Sequence, residues 1–181
     1  MVQKLERIER VLERKGAIVN TYTDHIRMPD GKIAKWDYIE HVKGAAAVVA
    51  VLPNGKLVMV RQYRNALDRV TLEIPAGARD SVGEDTAICA KRELEEETGY
   101  SCGKIEKLLS LKSTVAFCNE LIDVYLATDL MPGEQKLDEE EYIEIVECEL
   151  ADLCEKIYAG EIQDAKTVAG ILAYANKYNV S

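Results

Sequence analysis

Residues 77–100 read GARDSVGEDTAICAKRELEEETGY, and they contain the strongest pattern in the chain. Residues 85–98 favour a helix, and Gly99 follows them where a left-handed C-terminal cap is expected. Three acidic residues at i, i+3 and i+4 share one face of that helix: Glu93, Glu96 and Glu97. Because like charges at this spacing repel one another and hard divalent cations prefer oxygen ligands, the face predicts a metal site. The alternative is a solvated face of a structural helix, since glutamate forms helices well.

Around this helix the sequence predicts clusters of strands and few other helices. A hairpin is expected over residues 17–42, with its turn at Pro29-Asp30-Gly31. Residues 3–14 are ambiguous, because strand-rich residues follow an apolar set at helical spacing: Leu5, Ile8, Val11 and Leu12. Further elements are expected as strands over 45–52, 56–64, 72–76, 104–114, 121–130 and the end of 137–150, and as helices over 151–159 and 165–178. This order predicts an α+β fold in which helices flank a mixed sheet.

Length and composition exclude several classes of protein. The chain has 181 residues and a mass of 20.2 kDa, which fits one domain with at most a small N-terminal appendage. With 32 acidic against 23 basic residues, the formal charge of -9 disfavours a nucleic-acid partner. The longest apolar run, residues 45–53, is too short for a membrane span, and the charged N-terminus lacks a secretory segment. Five cysteines without a CxxC pair argue against a disulfide framework or structural zinc and favour a cytoplasmic protein.

The stretch 77–100 resembles the Nudix box, the signature of the Nudix hydrolases. That signature runs Gly, five residues, Glu, seven residues, then Arg-Glu-aliphatic-x-Glu-Glu-x-Gly-aliphatic. Glu84 and residues 92–100 match it position for position, with Tyr100 as the closing bulky residue. Six residues separate Gly77 from Glu84, so either the loop ARDSVG carries an insertion or Ala78 takes the glycine position.

The resemblance extends along nearly the whole chain to the ADP-ribose and ADP-sugar pyrophosphatase branch. The stretches that carry it are RMPDGKIAKWDYIEH, VMVRQYRNAL, LEIPAG and GEIQDAKT. It implies a Nudix-like mixed sheet between helices and Mg²⁺, or Mn²⁺ in its place, as cofactor. The implied metal ligands are the carboxylates of Glu93, Glu96 and Glu97 and the backbone carbonyl of Ala76, with Glu84 in support. The branch usually carries Pro-Gly where Val115-Ala116 stands here, which keeps other nucleotide sugars open as substrates.

Several residues outside the metal face are candidates for substrate binding and catalysis. Arg61 and Arg64 end a predicted strand, where arginine can hold phosphate or lie at the surface. The lone Trp36 is typical of a core residue, whereas the resemblance implies that it stacks on adenine. The resemblance also implies a general base from the loop 138–141, with Glu141 favoured over Glu139. The remaining candidates are Glu120 as a substrate contact and Glu96, Glu97 and Arg92 as catalytic residues, Arg92 pinning a carboxylate through two hydrogen bonds.

The sequence therefore predicts a metal-dependent hydrolase of a nucleoside diphosphate sugar, with ADP-ribose yielding AMP and ribose 5-phosphate. Residues 1–42 are expected to form an N-terminal hairpin region exchanged in a homodimer, and residues 43–181 the Nudix hydrolase domain. Three alternatives stay open: hydrolysis of ADP-glucose or a GDP-sugar, nucleotide binding without cleavage, and a purely structural domain.

Overall fold

The computed structural model describes residues 3–180, and its first three strands form a sheet of their own. These are β1 (Glu6–Lys15), β2 (Val19–Arg27) and β3 (Ile33–His41), joined in antiparallel order. The predicted hairpin over 17–42 is confirmed, and Gly31 takes a φ of 86° in its turn. Glycine adopts this left-handed conformation without steric cost, so the turn chemistry agrees with the sequence.

From Glu6 onward, the ambiguous segment 3–14 is a strand. The register of this strand against β2 shifts twice, between Arg7 and Glu9 and between Leu12 and Arg14. Each shift breaks the strict alternation of side chains that a regular strand would show. The pairing of this segment with β2, and not its local sequence pattern, therefore determines its structure.

A second sheet of seven strands forms the body of the molecule. Its strands are β4 (Ala45–Val51), β5 (Leu57–Arg64), β6 (Arg69–Glu73), β7 (Ala76–Ala78), β8 (Ser101–Lys112), β9 (Leu121–Met131) and β10 (Ile143–Cys148). The main order is β10-β5-β4-β9-β8, while β6 pairs with β5 and β7 pairs with β4. Since β4 and β9 are parallel and the other pairs are antiparallel, the sheet is mixed, as predicted.

Three helices cover the two faces of this sheet: α1 (Thr86–Thr98), α2 (Leu150–Tyr158) and α3 (Ala165–Tyr178). Alternate residues of β4 point to opposite faces, so Val48 packs with Leu94 of α1 while Val49 packs with Ile171 of α3. The predicted α+β fold, a mixed sheet between helices, is confirmed. None of the helices in the described part of the chain has the length and hydrophobicity that a membrane span requires.

Short-range capping fixes where α1 begins and ends. The side chain of Asp85 accepts a hydrogen bond from the Ala87 amide, and Gly99 closes the helix with a φ of 72°. The C-terminal cap is the one that the sequence predicts. Residues 85–99 therefore hold the acidic face in a fixed register against the sheet.

The N-terminal sheet joins the body through the loop between β8 and β9. The amide of Ile39 donates to the carbonyl of Phe117 at 2.7 Å, and the amide of His41 donates to the side chain of Asn119 at 2.7 Å. These bonds place β3 against the same loop that carries Glu120.

Candidate active site

The box places Glu97 and Glu93 at the junction of β7 and α1. The Oε2 atom of Glu97 accepts a hydrogen bond from the backbone amide of Ala76 at 3.0 Å. A Cβ atom on Gly77 would lie 2.1 Å from the carboxylate of Glu93, so a side chain at this position would displace that carboxylate. The close approach favours Gly77 as the glycine of the signature, with the additional residue in the loop 78–83.

Burial sets the electrostatics of this pair. Glu93 is 8% exposed and Glu97 is 3% exposed. Loss of water raises the pKa of Glu93 to about 7, although the nearby Arg92 opposes the shift. The same loss raises the pKa of Glu97 to about 8, against the hydrogen bond from Ala76. A buried carboxylate that resists ionisation gains most from a divalent cation, so these two donors fit a hard metal ion.

Arg92 links the carboxylates of the acidic face. Its Nη1 atom donates to Glu93 at 2.8 Å and to Glu96 at 2.9 Å, and its Nη2 atom donates to the carbonyl of Ala78 at 3.0 Å. Glu84 lies 3.4 Å from the Nε atom of Arg92 and also accepts from the Asp80 amide at 2.6 Å. Arg92 therefore contacts two carboxylates through one hydrogen bond each, whereas the sequence predicted two bonds to a single carboxylate, and Glu84 braces the preceding loop.

Within residues 3–180, no three Asp, Glu, His or Cys side chains converge closely enough to hold a metal ion as they stand. At the box, Arg92 accounts for this, because its guanidinium lies between Glu93 and Glu96. A cation bound there would compensate the negative charges of these carboxylates in place of the guanidinium. The donor set fits the metal chemistry, provided that the carboxylates turn away from Arg92.

A cavity of about 240 Å³ opens over this acidic face. It is lined by Gly77, Ala78, Asp80, Arg92, Glu93, Glu96, Lys136, Asp138 and Glu141. Glu141 thus stands across the cavity from the box, whereas Glu139 is exposed and does not line it. Asp80, Lys136 and Asp138 were not among the predicted site residues, and Lys136 and Asp138 reach the box only because the loop between β9 and β10 folds over it.

The loop between β9 and β10 is tied to the end of α1. The amide of Lys136 donates to the carbonyl of Glu96 at 2.9 Å, and the Nε2 atom of Gln135 donates to the carbonyl of Glu97 at 2.6 Å. These bonds position the start of the loop that ends in Glu141. Gln135 was also missed, since an isolated glutamine carries no sequence signal.

A second cavity, of about 310 Å³, shares the lining residues Gly77 and Ala78 with the first. Arg64 and Glu120 line it, and the carboxylate of Glu120 lies 3.5 Å from the imidazole of His41. Two of the predicted substrate contacts therefore face one cavity that adjoins the box.

The other two predicted contacts lie elsewhere. Arg61 lines neither of these two cavities and approaches Glu144 on β10 at 3.6 Å. Trp36 lies on β3, is 49% exposed and also lines neither cavity. The expectation of a core tryptophan is wrong, because an exposed sheet face, not the interior, holds this side chain.

Comparisons with known proteins identify the family to which the chain belongs. The NUDIX domain model matches residues 42–170. The chain is 39% identical to "ADP-ribose pyrophosphatase" of Bacillus subtilis over 165 residues, covering 90% of this chain and 85% of that one. It is 39% identical to "Methanol dehydrogenase activator" of Bacillus methanolicus over 158 residues, covering 86% and 84%. It is 28% identical to "GDP-mannose pyrophosphatase" of Cronobacter sakazakii over 171 residues, covering 88% of each.

A solved structure, "Crystal structure of ADP compounds hydrolase", superposes with a TM-score of 0.88 and covers 99% of this chain and 96% of that one. At 19% identity, this likeness confirms the fold alone. The family is confirmed by the domain match over more than half of the chain and by the 39% identity to relatives of similar length. The chain therefore belongs to the NUDIX family.

Proposed function

We propose that this protein hydrolyses the diphosphate of a nucleoside diphosphate sugar, with ADP-ribose as substrate and AMP and ribose 5-phosphate as products. The observation that carries the proposal is the acidic cavity, in which Glu93 and Glu96 of α1 face Glu141 of a separate loop. The relative named for ADP-ribose supports this choice of substrate. GDP-mannose is the second candidate, supported by the more distant relative and by Val115-Ala116 in place of Pro-Gly.

The metal ligands in this proposal are the carboxylates of Glu93, Glu96 and Glu97 and the backbone carbonyl of Ala76. When bound there, Mg²⁺ or Mn²⁺ neutralises charge on the diphosphate and acidifies the attacking water. Support comes from the burial of Glu93 and Glu97, which leaves their negative charge poorly solvated. Arg92 keeps Glu93 and Glu96 in position and so acts on the ligands.

Side chains of the protein carry out the remaining tasks, which are proton transfer and substrate binding. Glu141 accepts the proton of the attacking water as general base, with Glu139 as the weaker candidate, because only Glu141 lines the acidic cavity. Arg64 holds a phosphoryl oxygen of the substrate, and Glu120 contacts the substrate across the same cavity. Trp36 stacks on the nucleobase. Arg61 is the less favoured of the two arginines, because it lines neither the acidic cavity nor the second one and approaches Glu144 instead.

The N-terminal region 1–42 mediates a homodimer in this proposal. Exposed apolar side chains on β1 and β3 support it, namely Ile8, Leu12, Ile33 and Trp36. A second subunit would remove this apolar area from water. A cytoplasmic location is part of the proposal and rests on the five free cysteines, and the acidic charge disfavours nucleic acid as a partner.

A substrate panel tests the proposal directly. The purified protein is incubated with ADP-ribose, ADP-glucose or GDP-mannose in Mg²⁺ or Mn²⁺, and released AMP or GMP is separated by chromatography. We expect AMP from ADP-ribose at the highest rate and no release in excess chelator. Tight binding of ADP-ribose with no AMP released in either metal would overturn hydrolysis and favour the nucleotide-binding alternative.

A further inference from the structure

A buried ion cluster contributes Arg64 and Lys166 to the lining of the second cavity. Glu73, the last residue of β6, is 2% exposed. It accepts hydrogen bonds from the Nε and Nη2 atoms of Arg64 at 2.8 and 2.7 Å and from the hydroxyl of Thr71 at 2.7 Å. The ammonium of Lys166, in the first turn of α3, donates to the same carboxylate at 2.5 Å. Two cations from different elements thus meet on one buried anion.

Both cations also line the cavity, and both keep hydrogen-bond donors that the cluster does not use. Arg64 binds Glu73 through Nε and Nη2, which leaves the Nη1 atom outside this pair of bonds. Lys166 donates to Glu73 and to Asp164, which leaves one of its three N–H groups. The cluster therefore leaves cationic donors among the residues that line the cavity.

Because this cavity adjoins the box, its donors can contact a substrate that is bound at the box. Gly77 and Ala78 of β7 line both cavities, while Glu93 and Glu96 line the first and Arg64 and Lys166 line the second. A diphosphate carries two phosphoryl groups, so one can lie at the acidic cavity while the other meets the cations. Fixed cationic donors are the groups that bind phosphoryl oxygens most strongly.

Stability alone is a weak reason for such a cluster. Desolvating several charges costs free energy, and apolar side chains of similar volume often hold two elements together as well. Thr167 already joins α3 to the sheet, because its hydroxyl accepts a hydrogen bond from the Ile74 amide at 3.1 Å. An apolar side chain in place of Glu73 would not orient the side chains of Arg64 and Lys166.

We propose that Lys166 is a second cationic contact for the substrate's diphosphate beside Arg64, and that Glu73 is a positioning residue that orients both. The class of ligand in this proposal, a nucleoside diphosphate sugar, is taken from the proposed function. Lys166 and Arg64 hold the phosphoryl group that the acidic cavity does not hold. Glu73 touches no substrate and acts through the two cations.

The first test compares Lys166→Met with Lys177→Met, which removes a lysine from the last turn of the same helix. Lys177 pairs with Glu106 and lines neither of the two cavities. For Lys166→Met we expect KM for ADP-ribose to rise about ten- to a hundredfold with kcat changed less than about threefold, as for loss of a charged hydrogen bond made in both ground and transition states. Lys177→Met should keep the KM of the parent. A KM for Lys166→Met within about twofold of the parent would overturn the proposal.

The second test measures binding without turnover. The probe is the α,β-methylene analogue of ADP-ribose, titrated in Mg²⁺ by calorimetry against the parent, Lys166→Met and Glu73→Gln. We expect both variants to bind the analogue about tenfold or more weakly than the parent, whether or not the parent hydrolyses ADP-ribose. A parent that binds the analogue without hydrolysing ADP-ribose would overturn the proposed function while the loss in Lys166→Met still supports the contact.

Thermal unfolding separates positioning from folding. If the cluster only attaches α3 to the sheet, Lys166→Met and Glu73→Gln lower the midpoint of unfolding while KM and analogue affinity stay at parent values, and the proposal is wrong. If the parent fails to bind the analogue at all, the proposal is also wrong. Weaker analogue binding by both variants under conditions where each remains folded supports it.

Discussion

The carboxylate of Glu97 accepts a hydrogen bond from the backbone amide of Ala76 at 3.0 Å. This bond joins the last turns of α1 to the strand that precedes the box and holds the carboxylate almost entirely out of water. One hydrogen bond compensates little of a buried negative charge. We therefore expect a cation bound here to add more stability to the folded chain than it would at an exposed glutamate.

We expect divalent metal to raise the thermal midpoint of the parent and to do so far less in Glu97→Gln. At a metal concentration about 100 times Kd, binding adds about 2.7 kcal/mol, or roughly 5–10 °C for a chain of this size. Differential scanning fluorimetry in Mg²⁺ and in chelator measures the shift. Glu95→Gln is the matched control, because Glu95 lies exposed on the same helix and should keep the full shift. An undiminished shift in Glu97→Gln would remove this residue from the metal site.

Gly77→Ala tests the close approach of the strand to Glu93. The added Cβ would lie 2.1 Å from the carboxylate, which must move, while the backbone fold is retained because the obstacle is the end of a flexible side chain. We expect metal affinity to fall about ten- to a hundredfold, the usual cost of disturbing a ligand's support. Isothermal titration with Mn²⁺ measures it. Gly83→Ala is the control, since its Cβ would meet nothing within 4 Å, and equal affinities in the two variants would contradict the argument.

Glu141→Gln and Glu139→Gln distinguish the two loop glutamates. Glu141 lines the acidic cavity and Glu139 is exposed outside it. Loss of a general base costs about 10²–10⁴ in rate, so kcat for ADP-ribose should fall by that factor in Glu141→Gln and by less than about threefold in Glu139→Gln. Single-turnover kinetics at saturating metal provide the measurement. The reverse order of effects would move the base to Glu139.

Local chemistry made the central helix predictable from sequence. Gly99 caps it as expected, and the i, i+3, i+4 spacing brings Glu93, Glu96 and Glu97 to the face that Arg92 organises. The strands around it followed from apolar runs and turn residues. Each of these features depends on neighbours a few positions apart, which a single sequence records.

Features that depend on contacts between residues far apart in the sequence could not be predicted from the sequence. Arg61 and Arg64 stand in nearly equivalent sequence contexts, and only the folded chain gives Arg64 the buried Glu73 as partner while Arg61 meets Glu144 at the sheet edge. In the same way, β1 is a strand because it pairs with β2, for example through Arg10 and Asp24 at 2.6 Å. No local pattern encodes these contacts.

The buried carboxylate of Glu73 makes stability depend on acid pH. Burial alone would raise its pKa, but Arg64, Lys166 and Thr71 outweigh burial and lower the pKa to about 2. Because this folded-state pKa is below the unfolded value of 4.5, the group stabilises the fold above pH 4.5, and that contribution disappears as pH falls from 4.5 towards 2. Its size is on the order of 3 kcal/mol.

Glu73→Gln should therefore be less stable than the parent at pH 7, and the difference should narrow below pH 4. Urea unfolding at pH 7, 5, 4 and 3 gives the free energy of unfolding of both proteins. Glu106→Gln, at an exposed glutamate of β8, is the control and should show only a small difference at every pH. A constant difference between parent and Glu73→Gln from pH 7 to 3 would show that the ionised form of Glu73 adds nothing.

The exposed apolar side chains of the N-terminal sheet predict a dimer, and a single substitution to a charged residue among them should dissociate it. Leu12 on β1 is 52% exposed, and a carboxylate placed there would be buried without a partner in a dimer but solvated in a monomer. Light scattering at micromolar concentration should give twice the chain mass of 20.2 kDa for the parent and the single mass for Leu12→Asp. Tyr158→Asp, at an 80% exposed residue closing α2, should stay dimeric. A monomeric parent would contradict the dimer that the exposed Leu12 and Trp36 predict.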